Sequence, residues 1–255
     1  MLETKSIMKK IPEITILFWI MKICATTLGE TAGDLLSMTM NVGYAVSSTI
    51  LISIFFVTLI VQLLSKKYNP IIYWLVILST STAGTTMSDY MDRTLGLGYA
   101  TGSMILITIL LIVFFLWRMS EKSLSVTNIT TFKGELFYWI AILFSNTLGT
   151  AVGDFLADDS GLGFLGGAIL IGSLLSVVVL AKYFTNISTV LLFWIAFVLT
   201  RPFGATFGDL LTKSSEKGGL NFGTTGSSLI LFAVLAVLVA YTFFKNNNPK
   251  ANIID

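Results

Sequence analysis

One short pattern is written four times inside hydrophobic sequence. The copies read FWIMKICATTLGETAGD (18–34), YWLVILSTSTAGTTMSD (73–89), YWIAILFSNTLGTAVGD (138–154) and FWIAFVLTRPFGATFGD (193–209). In every copy the tryptophan precedes a glycine by ten residues and an aspartate by fifteen. Trp19, Trp74, Trp139 and Trp194 thus pair with Gly29, Gly84, Gly149 and Gly204, and with Asp34, Asp89, Asp154 and Asp209. Repetition at a fixed interval means one structural unit used four times. An acid inside or at the edge of each apolar segment is costly, which makes each aspartate a functional candidate.

Composition sets the class. Hydrophobic residues make up 55 % of the chain and charged residues 12 %. Crossing a bilayer core of about 30 Å takes roughly 20 helical residues. Eight stretches qualify, near 12–36, 43–65, 70–91, 97–118, 133–157, 163–183, 188–211 and 222–244. Helices are expected because every backbone polar group in lipid must be satisfied internally. The expected fold is an all-α polytopic membrane protein of eight transmembrane helices, built as four parallel two-helix repeats. The first ten residues are polar, and the first apolar segment carries the repeat, so a cleavable signal peptide is not expected.

Loop charge predicts the orientation. Lys5, Lys9, Lys10, Lys66, Lys67, Arg118, Lys122, Lys133, Lys182, Lys245 and Lys250 lie at the termini and in the even-numbered loops. Only Arg93, Lys213 and Lys217 lie in the others. That bias predicts both termini in the cytoplasm. The net charge of +2 is then a topology signal and gives no reason to expect a nucleic-acid partner. With no histidine and one cysteine, Cys24, the chain lacks the usual soft-metal and haem ligands, and no cofactor is expected.

Each unit reads as a long helix carrying the motif, a short outer turn and a plainer second helix. The repeats fall at about 10–66, 67–119, 132–184 and 185–245, within one transmembrane domain, with a polar linker over 120–132. The turns align as NVGY (41–44), GLGY (96–99), GLGF (161–164) and GLNF (219–222), the fourth turn being three residues longer. An even number of spans per unit makes the repeats parallel, related by an axis along the membrane normal. A pseudo-two-fold pair of halves, approaching four-fold, would bring the four aspartates to similar depth around that axis. The tryptophans are expected toward the cytoplasmic interface, where indoles are favoured.

The motif helices carry a polar stripe. Thr27, Glu30, Thr31 and Asp34 share a face at helical spacing, as do Thr82, Thr85, Thr86 and Asp89, and Thr147, Thr150 and Asp154. Hydroxyls and carboxylates are hard oxygen ligands suited to protons, alkali ions, Mg²⁺, Ca²⁺ or Mn²⁺. The glycines beside them, with Ser88 in the second copy, read as close-packing positions. Two cations break the pattern. Lys22 lies within the first helix, and Arg201 stands where the first copy has Thr26. Pro202 follows and is expected to kink or open the seventh helix. Glu30 occurs in the first copy alone and is the natural partner of Arg201 if units 1 and 4 are neighbours.

The start KIPEITILFWIMKICATTLGETAGD (10–34), the paired YW and GD copies, and the ending FWIAFVLTRPFGATFGD together resemble a family of uncharacterised bacterial integral membrane proteins. That family is defined by four tandem repeats, each with two spans and a tryptophan. The resemblance covers residues 10–244 and implies an eight-span protein of the bacterial inner membrane. It supplies no activity.

The residues themselves point to a transporter, of exporter type, for a small hard cation, with protons as co-substrate. Glu30, Asp34, Asp89, Asp154, Asp209, Thr27, Thr82 and Thr147 are the expected ion ligands; Lys22, Arg201 and Pro202 are expected to couple or gate. Five motif acids face two basic residues on this count, a sign that attracts cations. The alternatives are a transporter of a small organic solute and a non-transporting sensor or assembly component. An enzyme is not expected, since no nucleotide-binding loop or cofactor motif is present. Membrane lipids are the expected surroundings, and homo-oligomerisation stays open, as does the identity of any metal.

Overall fold

A computed structural model describes residues 10–247. Lys5, Lys9 and Lys250 lie outside the described residues. Eight long helices follow one another: α1 (Ile16–Asp34), α2 (Tyr44–Leu64), α3 (Pro70–Asp89), α4 (Tyr99–Glu121), α5 (Phe132–Asp154), α6 (Gly163–Phe184), α7 (Thr189–Thr212) and α8 (Thr224–Asn247). The all-helical expectation holds. Local chemistry sets several starts. The Thr15 and Thr131 hydroxyls accept from Phe18 N and Gly134 N, and the Asn69 side chain caps α3, whose first residue is Pro70.

The motif helices form a closed ring, α1–α3–α5–α7 and back to α1. The second helices stand outside it, each against the next unit's motif helix: α2 on α3, α4 on α5, α6 on α7, and α8 on α1. The sequence unit is therefore not the packing unit. Every seam between units is covered by a helix handed across, and α8 closes the circle. Six helices, α2 and α4 through α8, are long and apolar enough to cross a membrane. The other two, α1 and α3, belong to the inner ring, where serine, threonine and charge face other helices and not lipid.

The motif explains the ring. A Cβ added at Gly29 would strike Ser81; at Gly84, Asn146 and Thr147; at Gly149, Arg201; at Gly204, Thr26. Each motif glycine thus receives the residue three positions before the next unit's glycine. One turn on, Gly33 meets Thr85, Gly153 meets Ala205 and Gly208 meets Glu30. Contacts that advance together along both chains mean parallel neighbours, approaching as closely as small residues allow.

The aromatic pair at each motif start closes a second ring. Phe18 meets Trp74 at 5.7 Å, Tyr73 meets Trp139 at 5.5 Å, Tyr138 meets Trp194 at 6.1 Å and Phe193 meets Trp19 at 5.7 Å between centroids. Trp74, Trp139 and Trp194 are buried, and Trp19 is half-buried. The rings turn inward, because each unit's aromatic pair finds the next unit's tryptophan.

In units 1–3 the chain passes directly from the motif aspartate into a single wide π turn, Leu35–Thr39, Tyr90–Thr94 and Phe155–Asp159. Left-handed residues then reverse it, in pairs two apart: Asn41 and Gly43, Gly96 and Gly98, Gly161 and Gly163. In unit 4 the pair is Asn221 and Gly223. The fourth turn is thus NFGT (221–224), not GLNF, and is five residues longer than the others, not three. There α7 runs on to Thr212, and Leu220 N and Phe222 N bond back to Leu210 O and Leu211 O.

Candidate functional site at the axis of the ring

Two layers fill the ring axis. The lower holds Thr26, Ser81, Asn146 and Arg201; the upper holds Glu30, Thr85, Thr150 and Ala205. Unit 4 carries the largest residue of the lower layer and the smallest of the upper. Arg201 therefore rises into the space that Ala205 leaves in the upper layer. Its Nη1 donates to Glu30 Oε2 at 3.0 Å and to Thr26 O at 3.4 Å. Its Nη2 donates to Thr150 Oγ1 at 2.7 Å, to Thr85 Oγ1, and to Ser81 O at 3.3 Å. Thr85 and Thr150 donate in turn to Glu30 Oε2 at 3.3 and 3.2 Å. All four motif helices thus meet in one buried guanidinium–carboxylate cluster. Arg201 and Glu30 are 0 % and 3 % exposed, so neither charge has water as a substitute partner.

The aspartates form the next layer outward, in two clamps. Arg93 bridges Asp89 and Asp154, with Nε–Oδ1 and Nη2–Oδ2 both at 3.0 Å. Lys213 bridges Asp34 at 2.5 Å and Asp209 at 3.0 Å. Each clamp joins neighbouring units, 2 to 3 and 4 to 1, which gives the axis two-fold character. Burial alone would lower the Lys213 pKa, but the Asp209 and Asp34 carboxylates outweigh it and hold the ammonium above its ordinary value. Glu30, Asp34 and Asp209 each place an oxygen within 4.8 Å of the others, a spacing that suits a hard cation.

Lys22 lies below Arg201 and is fully buried. Its Nζ donates to Asn146 Oδ1 at 3.4 Å and sits 4.1 Å from the Phe197 ring centre, a cation–π arrangement. Asn146 is held by its amide on Thr80 Oγ1 at 2.9 Å.

Several expectations are corrected here. Thr27, Thr82 and Thr147 do not join the axial cluster. Their hydroxyls donate to Ile23 O, Leu78 O and Leu143 O, one turn back in their own helices, as threonine in a helix often does. The axial hydroxyls are Thr85 and Thr150. Pro202 occupies the unit-4 place of Thr27, and α7 stays helical through it without opening. The charge balance also changes. Arg93 and Lys213, counted with the loops, reach into the aspartate layer, so five acids face four basic residues and not two. Both lie four residues after a motif aspartate, one helical turn on. That spacing was the available signal.

A ring of four helix pairs with membrane-compatible outer helices and an ionic axis defines a repeat-built helical protein. The chain belongs to the family described as Repeat of Unknown Function (DUF347), whose profile matches residues 17–68, 72–123, 137–188 and 192–248. The fourth match is five residues longer than each of the others, the same increment as the fourth turn. No curated protein and no solved structure matches the chain.

Proposed function

We propose that the protein is a transporter of the bacterial inner membrane, exporting a small hard cation in exchange for protons. All eight helices span the bilayer, with both termini in the cytoplasm. The observation that carries this reading is the convergence of five buried carboxylates, one from each motif plus Glu30, on a single axis. Carboxylates gathered inside apolar sequence from four segments are costly, and attracting a cation is what such a field does best. Arg93 and Lys213 then act as tethered stand-ins for the cargo. Their side chains keep 29 % and 18 % exposure, so their heads have solvent to retreat into when a cation enters between Asp34 and Asp209. Arg201 on Glu30 closes the axis below, and the aromatic ring closes it again beneath Lys22.

The test is transport into proteoliposomes across a panel of H⁺, Na⁺, Mg²⁺ and Mn²⁺, comparing wild type with Asp34→Asn and Asp209→Asn. Transport of one of these ions, lost in both variants at normal protein yield, supports the reading. Robust transport of an anion, or cation transport indifferent to the aspartate changes, overturns it. The plugged axis favours a second reading, a non-transporting membrane sensor or assembly component. No flux for any solute, from protein shown to be folded, would select it.

A further inference from the structure

The four outer helices are equivalent in sequence position but not in packing. Aligned on their left-handed turns, Phe55, Leu110, Leu175 and Leu235 occupy one position. Three are buried at 2 %, 3 % and 4 % exposure; Leu175 alone is half-buried. Two turns further from the outer turn stand Gln62, Trp117, Lys182 and Thr242. Gln62 is buried, with its amide on Glu135 Oε1 at 3.4 Å. Trp117 is buried, with its ring 5.6 Å from Trp194. Lys182 is exposed. The buried residues of α6 are Phe164, Gly167, Ala168 and Ile171, all in its first half. Small residues draw that half onto α7, where Gly167 lies against Thr206, and the second half stands away.

The result is a groove of about 430 Å³ between α6, α7 and α1. Its walls are aliphatic and aromatic, including Ile23, Leu175, Val178 and Phe193. Its far end carries Lys182 with the polar linker and helix-start residues Thr127 and Thr189. We infer that this groove binds one anionic phospholipid, an acyl chain lying along the walls and the phosphate meeting Lys182 and the hydroxyls. The charge decides the occupant. Among the described residues the groove has no carboxylate in its lining, and it places a lysine where the equivalent helix of unit 2 places Trp117. An apolar slot ending in one cation and hydroxyls has the order of groups of a lipid entering tail-first from the bilayer. This site requires only that the helices sit in a bilayer; it is independent of transport along the axis.

The experiment is native mass spectrometry of the full chain released from nanodiscs of mixed phosphatidylglycerol and phosphatidylcholine. Wild type is expected to retain one phosphatidylglycerol through stepwise delipidation. Lys182→Gln should weaken that preference about five-fold, the worth of about 1 kcal/mol for one lysine near a lipid surface. Val178→Trp, which fills the slot and leaves the lysine, should reduce retention of both lipids. Lys67→Gln, an exposed lysine in another loop, should change neither. Lipids retained in the bulk ratio, or retention unaffected by both groove variants, would overturn the assignment. So would a dimer that buries the groove and excludes lipid.

Discussion

Glu30 and Arg201 are each the odd residue in an otherwise repeated layer, and that oddness makes their pairing legible in the sequence alone. Among four aligned motifs, one has an extra acid and one has an extra base, and a ring closure makes their units neighbours. Their partners were less legible, since helical spacing alone does not say which threonine of a stripe reaches the axis. It led to Thr27, Thr82 and Thr147 as ligands, whereas the hydrogen bonds to Glu30 and Arg201 select Thr85 and Thr150. Glu30→Gln leaves the Arg201 guanidinium buried without its counter-charge. It is expected to destabilise the detergent-solubilised protein by about 3–5 kcal/mol, the usual cost of breaking a buried pair. Arg201→Met added to Glu30→Gln should recover part of that loss, and equal additive losses would show the two are not coupled. The clamps are partly open to solvent on their cation side and weaker. Lys213→Gln should cost about 1–3 kcal/mol, between exposed and buried pairs, and Asp34→Asn on that background should restore some of it. Thermal unfolding of these variants beside wild type and the single variants Arg201→Met and Asp34→Asn measures both effects.

At the level of helices, the motif is a packing device first. The glycine and the aromatic pair each make the same contact with the next unit, so their fixed interval encodes a ring, while the aspartates pair two by two through Arg93 and Lys213. The helix count and the parallel repeats could be read from hydropathy and spacing. The exchange of second helices between units could not, because apolar outer helices carry no mark of which neighbour they cover. The fourth turn misled by its sequence, since GLNF imitates GLGF while the left-handed residues lie two positions later. Gly29→Ala and Gly149→Ala are expected to be poorly tolerated. The added methyls meet the Cα-proximal atoms of Ser81 and Arg201, which cannot swing aside, and overpacking of this kind costs about 1–3 kcal/mol. Gly226→Ala, in α8 with nothing within 4 Å, serves as the control and should raise stability slightly or leave it unchanged. If the Gly29 and Gly149 variants unfold at the same temperature as Gly226→Ala, close helix approach is not what the motif glycines secure.

For the whole molecule, the two ends of the bundle differ in charge more sharply than a count of loop residues suggests. Of the three basic residues on the outer-turn side, Arg93 and Lys213 are spent on the aspartate clamps. Lys217 alone of the three stands outside a clamp, against the exposed Lys66, Lys67, Lys122 and Lys182 among those at the opposite end. The positive-inside bias is a property of loop charge near the span ends, so removing two inward-turned cations strengthens the expected orientation. The single cysteine makes this testable with little background: Cys24 is 8 % exposed within the bundle, with its thiol on Leu231 O at 3.4 Å. A membrane-impermeant maleimide applied to intact cells should label Lys217→Cys and leave Lys67→Cys unmodified until the membrane is opened. Wild type, carrying Cys24 alone, should stay unlabelled in both conditions. The reverse pattern would invert the protein in the bilayer, and with it the side from which a cation reaches the aspartate clamps. Equal labelling of both positions in intact cells would mean that the ring does not separate two compartments, and an axial transport path would have no gradient to work across.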